Sequence, residues 1–244
     1  MTTGINALTP SKRKRYDEVN ESVKERVRSL MISRLHALHI ITTGRQELEE
    51  VAAILKRCPV SFIDVLHIRE KHRSAHELVQ WHAMLKPLLP QTKVVLNDRM
   101  DAALAASADG VQLTGNSLSP AEARAIAPTG MTIGCSVHSA NEAAEASLQG
   151  ADYVIFGHVY PTGSKPGIPP QGIAVLRQTV IAANVPVIAI GGIEPQTVDD
   201  VLSTGAAGVA VLSSVLLHSD PVGQVYAYRE ALDRTKHKPR RGFT

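Results

Sequence analysis

Eight short apolar runs, rich in Val and Ile, are threaded through residues 37–212 and alternate with longer amphipathic stretches. The runs are 37–41, 62–67, 94–96, 110–113, 132–137, 153–156, 186–190 and 208–212. Short continuous apolarity, without period-two alternation, is the pattern of a strand buried on both faces. The stretches between them suit helices over 46–57, 75–85, 100–107, 120–126, 141–149, 173–182, 195–203 and 221–232. Several carry start and stop signals. Ser119-Pro120 sets a cap before an N1 proline, Ser139 and Glu142 have capping-box spacing, and Gly150 and Gly205 follow helix ends. Eight strand–helix repeats predict an α/β fold of the (β/α)8 TIM-barrel type rather than a doubly wound sheet.

The barrel accounts for residues 35–233, flanked by an N-terminal extension (1–34) and a basic tail (234–244). The net charge of +3 is uneven: the extension carries +4 and the tail +5, which leaves −6 on the body. A nucleic-acid binder would carry its basic face on the folded domain, so nucleic acid is not an expected partner and the tail reads as a plain solubilising end. In the extension Val19, Val23, Val27, Leu30 and Met31 recur at helical spacing. They predict an amphipathic helix that covers the barrel bottom or contacts a second copy in a homodimer. No apolar run reaches the roughly 18 residues of a membrane span, and no secretory leader is present, so a cytoplasmic protein with no membrane partner is expected. Cys58 and Cys135 fit neither a disulfide framework nor a zinc spacing and read as reduced packing residues.

In such a barrel the chemistry gathers at the C-terminal strand ends. The second run ends in "HIREKHRS", where His67, Arg69 and Lys71 alternate onto one side and suit an anion. Glu70, His72 and Arg73 read as solvent or helix-cap charges. The third run ends in Asn97 and Asp98, the fifth in Ser136 and His138, and the sixth in His158 and the loop Thr162, Gly163, Ser164, Lys165. After the seventh, Gly191-Gly192 precedes a helix start at Pro195; after the eighth come Leu212 and Ser213. Bare amides after the seventh run, with small hydroxyls after the eighth, predict a phosphate site between the two. His138 is the acid–base candidate because imidazole exchanges protons near neutral pH; His158 is the lesser one. A dedicated Mg²⁺ site is not expected, because the loop after the fourth run brings no acid to accompany Asp98.

Four segments, "HIREKHRSAHEL", "LNDRMDAALAASADGVQL", "GCSVHSANEAAEASLQGADYVIFGHVYPTGSK" and "VIAIGGI" with "GAAGVAVLSSV", occur in an order that resembles the thiamine-phosphate synthase / TenI family of barrels. The resemblance implies one of two activities. The synthase joins a pyrimidine diphosphate to thiazole phosphate with Mg²⁺; the TenI branch is a metal-independent thiazole tautomerase that aromatises a carboxythiazole phosphate. It implies diphosphate binding by Arg69 and Lys71, an Asn–Asp pair at Asn97 and Asp98, and a serine at Ser136. It further implies an anion loop at Thr162, Ser164 and Lys165, and phosphate binding at Gly191, Gly192, Leu212 and Ser213. Two positions depart from the synthase: His67 replaces its Gln, and Ser117 replaces its second magnesium carboxylate. The loop 162–165 is synthase-like. The expectation is therefore a cofactor-free thiazole tautomerase acting on a small thiazole phosphate, with His138 as its acid–base residue. The alternatives are the Mg²⁺-dependent synthase, with Asp98 as surviving ligand, and a non-catalytic, phosphate-binding regulatory barrel.

Overall fold

The computed structural model describes residues 34–243. Eight parallel strands pair in chain order and close on themselves. They are β1 (Ala37–Ile41), β2 (Val65–Ile68), β3 (Lys93–Asn97), β4 (Gly110–Leu113), β5 (Thr132–Val137), β6 (Tyr153–Gly157), β7 (Val187–Ile190) and β8 (Gly208–Val211). The helices are α1 (Leu48–Arg57), α2 (Ala75–Leu85), α3 (Met100–Ala105), α4 (Pro120–Ile126), α5 (Ala140–Leu148), α6 (Gly172–Ala182), α7 (Val198–Leu202), α8 (Ser213–Leu216) and α9 (Pro221–Arg234). At the seam Ala37 lies beside Gly208 and Ile40 beside Val211. The chain is thus the (β/α)8 barrel its apolar runs predict.

Alternation within each strand makes two cores. Leu38 and Ile40 of β1 face outward and pack in the layer that holds Leu55 of α1, Leu78 and Trp81 of α2 and Tyr228 of α9. Burying each such leucine stabilises the fold by about 1.5–3 kcal/mol. The opposite parity fills the barrel with Ala37, Ile41, Tyr153, Ile155 and Ile188, and His39 is fully buried among their neighbours.

A carboxylate repeat closes the bottom of the barrel. Asp64, Asp109 and Asp152 each precede an even strand. Each accepts the N–H of Leu38, Val94 or Ile133 on the preceding odd strand at 2.7 Å. A cation faces each one: Arg229 for Asp64, Lys86 for Asp109 and Arg124 for Asp152. These three odd-strand amides are satisfied in this way.

The structure shifts some expected boundaries. The second run does not begin β2 at Phe62: Val60–Phe62 forms a 3₁₀ turn, with Phe62 edge-on to Tyr226. The helix expected from 195 begins as a 3₁₀ turn and becomes α-helical only at Val198. Short α8 follows β8 and is absent from the helices expected from sequence.

The tail is not a plain solubilising end. Arg240 N–H donates to Gly205 O at 2.9 Å, Thr235 Oγ1 to Asp199 Oδ1 at 2.7 Å, and Phe243 packs on the inner core. The described residues from 35 onward form one compact unit, so the boundary expected at 233 is not a structural one. The helix expected within 1–34 lies outside the described residues. Among those described, no helix is long and apolar enough to cross a membrane.

Candidate functional site

The C-terminal strand ends enclose a cavity of about 680 Å³. Arg69 and Lys71, from the loop after β2, line it together with Asn97 at the end of β3. So do Ser136 and His138 at the end of β5 and Thr162, Ser164 and Lys165 in the loop after β6. Gly191 and Gly192 after β7, and Leu212 and Ser213 after β8, complete it. Asp98 is not part of this lining, although its neighbour Thr114 is.

Backbone shape builds the part of the cavity between β7 and β8. Gly191 and Gly192 have φ of 105° and 63°. A Cβ on Gly191 would stand 2.2 Å from His158 Cβ, and one on Gly192 would stand 2.3 Å from Pro161 O. Only glycine allows this close approach. Among the described residues, the N–H groups of Gly192, Ser213 and Ser214 donate to no backbone carbonyl. Bare amides at a βα turn form an anion-binding concavity.

Cations flank it around the ring. Arg45, Arg69 and Lys71 stand on the β1–β2 side and Lys165 on the β6 side; Glu194 is the single carboxylate in the lining. A positive mouth in a body of net −6 attracts and concentrates anions. Arg69 is anchored through its N–H, which donates to Thr42 Oγ1 at 2.8 Å. Glu70, read from sequence as a solvent or cap charge, is instead buried, and its Oε1 accepts the Gly44 N–H at 3.2 Å. It ties the loop carrying Arg45 to the loop carrying Arg69. Arg73 pairs with Glu47 and Glu77 beside the helix cap.

His138 is held at three points. Its Nδ1 lies 2.8 Å from Gly157 O, its N–H donates to Glu142 Oε2 at 2.7 Å, and its carbonyl accepts from Gln171 Nε2 at 2.7 Å. The Ser139–Glu142 spacing does produce an N-cap, with Ser139 accepting the Glu142 N–H. The glutamate, however, reaches past the cap residue to His138. Below it, Gln112 Nε2 donates to Ser136 Oγ at 3.0 Å, which leaves the serine proton free to point into the cavity. His158 Nε2 donates to Ile168 O at 3.2 Å and fastens the β6 loop. Burial raises the Cys135 thiol above its ordinary range, consistent with a packing residue.

Asp98 lies just outside the lining, beside Thr114. Ser117 Oγ donates to its Oδ1, and Thr114 Oγ1 lies 3.4 Å from the same oxygen. Its Oδ2 carries no hydrogen bond within the described residues, where no group of three or more His, Cys, Asp or Glu could hold a metal ion. This donor set fits Mg²⁺ only as one carboxylate working with substrate phosphates and water, a usual mode for this ion.

Sequence reasoning missed Arg45, Glu142 and Gln171, which lie in loops or on a helix rather than at a strand end. It also missed His39, whose Nδ1 lies 3.0 Å from His67 Nε2 inside the barrel. Both rings are fully buried, and burial lowers both pKa values. His67 lines the floor of the cavity as a neutral ring and not as one charge among several.

Comparison with known proteins gives consistent names. Residues 38–215 match the family model described as thiamine monophosphate synthase. A thiamine-phosphate synthase of Chlorobium phaeovibrioides is 42% identical over 160 residues, covering 64% of this chain and 77% of that one. One of Salinispora arenicola is 36% identical over 207 residues, covering 82% and 99%. The solved thiamine phosphate pyrophosphorylase of Pyrococcus furiosus superposes with a TM-score of 0.71 at 33% identity, covering 82% of this chain and 96% of that one. A 3-hexulose-6-phosphate synthase, at 20% identity and a TM-score of 0.66, shares the fold alone.

Proposed function

Because the chain belongs to the thiamine monophosphate synthase family, we propose that it joins a pyrimidine diphosphate to thiazole phosphate and releases diphosphate. The relatives named synthase, at 36–42% identity, move this activity ahead of the tautomerase expected first from sequence. One observation carries the reading: the mouth combines a bare-amide pocket with four flanking cations. A phosphate and a diphosphate bound together bring more negative charge than a single carboxylated phosphate.

The thiazole phosphate sits on the amides of Gly192, Ser213 and Ser214, which fixes its ring over the floor. Arg69, Lys71 and Lys165 hold the diphosphate. That group leaves with the electrons of the broken C–O bond, so these residues stabilise the charge it gains. Ser136 and Asn97 offer neutral hydrogen bonds near the joining atoms. Asp98, with the substrate phosphates, would hold a Mg²⁺, which when bound would supply further neutralisation of the diphosphate charge.

A second reading, the thiazole tautomerase, is favoured by the bare Nε2 that His138 turns away from Gly157 and by Ser117 in place of a second acid. Supplying purified protein with both substrates and Mg²⁺ separates the two. The synthase yields one diphosphate per thiamine phosphate and stops in EDTA. If the protein makes no thiamine phosphate and aromatises the carboxythiazole phosphate in EDTA, the second reading replaces the first.

A further inference from the structure

Four rings form a continuous column from the bottom of the barrel to the floor of the mouth. Phe243 meets His39 edge-on, with centroids 4.8 Å apart and planes at 68°. His39 stacks on His67 at 5.2 Å and 28°, with their facing nitrogens 3.0 Å apart. Tyr153 closes the column from the side, 5.6 Å from His39 and 5.3 Å from Phe243. His67 is the only one of the four that lines the cavity.

Each imidazole spends one nitrogen on the other. The remaining two, His39 Nε2 and His67 Nδ1, are buried without a partner. No further hydrogen bond therefore orients the pair, and ring packing must do so. The closest aromatic neighbour of His39 is Phe243. Phe243 reaches it on a segment fixed by Arg240 N–H to Gly205 O, in the loop before β8, and by Thr235 Oγ1 to Asp199 Oδ1 of α7. A neutral histidine pair also shares a single proton between its facing nitrogens, so the tautomer of His67 follows that of His39.

We infer that Phe243 and His39 are positioning residues: the segment 235–243 props His39 from below, and His39 sets the orientation and tautomer of His67 at the floor of the mouth. The kinetic consequence rests on the mouth being the substrate site, as proposed above; the effect on the His67 ring does not.

The test uses the full chain and two readouts. Imidazole ¹⁵N–¹H spectra report the His67 tautomer without any substrate, and steady-state kinetics report KM and kcat for thiamine phosphate formation. Wild type should show a single His67 tautomer. Phe243→Ala should give averaged or mixed tautomer signals and raise KM roughly three- to tenfold while kcat stays within twofold. Phe243→Leu, which restores apolar bulk, should return both toward wild type. Should Phe243→Ala fail to fold, His39→Phe carries the same test, because it keeps the packing and removes the facing nitrogen. Wild-type His67 signals in a folded Phe243→Ala or His39→Phe protein overturn the inference, whatever the melting temperature does. Altered signals with an unchanged KM overturn its kinetic half. If wild type makes no thiamine phosphate, the functional reading fails and the spectra alone decide the positioning claim.

Discussion

His138 Nδ1 lies 2.8 Å from Gly157 O, and a carbonyl can only accept, so the neutral ring carries its proton on Nδ1 and leaves Nε2 bare. This single contact makes His138 a competent base. It does not make the proposed reaction need one, since joining the two substrates expels diphosphate and removes no proton. His138→Gln should therefore keep thiamine phosphate formation within about tenfold of wild type. Any tautomerase turnover should fall by about 10²–10⁴. The two kcat/KM values, measured on one preparation, check this; a hundredfold loss of thiamine phosphate formation would contradict it.

Gly192 at φ 63° leaves no room for a side chain, since a Cβ would sit 2.3 Å from Pro161 O and 2.9 Å from Tyr160 O. Gly192→Ala must displace the backbone that presents the amides. The thiazole phosphate KM should rise by at least tenfold, and stability should fall by about 1–3 kcal/mol, the usual range for imposed strain. Urea unfolding and initial rates read the two effects separately. An unchanged KM would remove this turn from the phosphate site.

Much of this was legible because barrel topology converts strand order into position. Once the eight runs are in register, a residue one or two places past a strand end has to face the mouth, and Arg69, His138, Gly191 and Ser213 all do. The rest depended on contacts that join distant segments. Nothing in "HIREKHRS" says that Glu70 turns inward to Gly44, or that His67 finds His39 across the barrel. The basic tail misled for the same reason. Its charge is visible in sequence, whereas its docking depends on Phe243 reaching an inner core built by β1 and β6.

Ser117 donates to the carboxylate that would hold the cation. Ser117→Asp restores a second acid at that point. Without Mg²⁺ the two carboxylates repel and the melting temperature should fall. With Mg²⁺ it should recover, and half-saturation of activity should shift to at least tenfold lower Mg²⁺. Calorimetry with and without the ion checks this, and an unchanged Mg²⁺ requirement would exclude Asp98 as the cation's ligand.

Three buried histidines set an acid limit on the fold. Burial lowers His36 to about 4, with Arg229 adding to it, and lowers His67 to about 3; His39 lies well below its ordinary value through burial and the adjoining His67. Unfolded, each titrates near 6.5. Above that pH neither state takes up the proton. Below it the unfolded chain binds protons that the folded chain refuses, so stability falls by up to about 1.4 kcal/mol per pH unit for each histidine. The loss continues down to about pH 4 for His36 and about pH 3 for His67. Between pH 7 and pH 5, urea unfolding of His39→Gln should therefore lose less stability than wild type. Equal losses would show that the pair is not held neutral.

The central claim is that this mouth holds a phosphate and a diphosphate at once and joins their carriers. It is tested most directly by measuring kcat/KM on one preparation for thiamine phosphate formation in Mg²⁺ and for aromatisation of carboxythiazole phosphate in EDTA. The account predicts that the first exceeds the second by at least a hundredfold. Aromatisation without thiamine phosphate above the enzyme-free blank would contradict it.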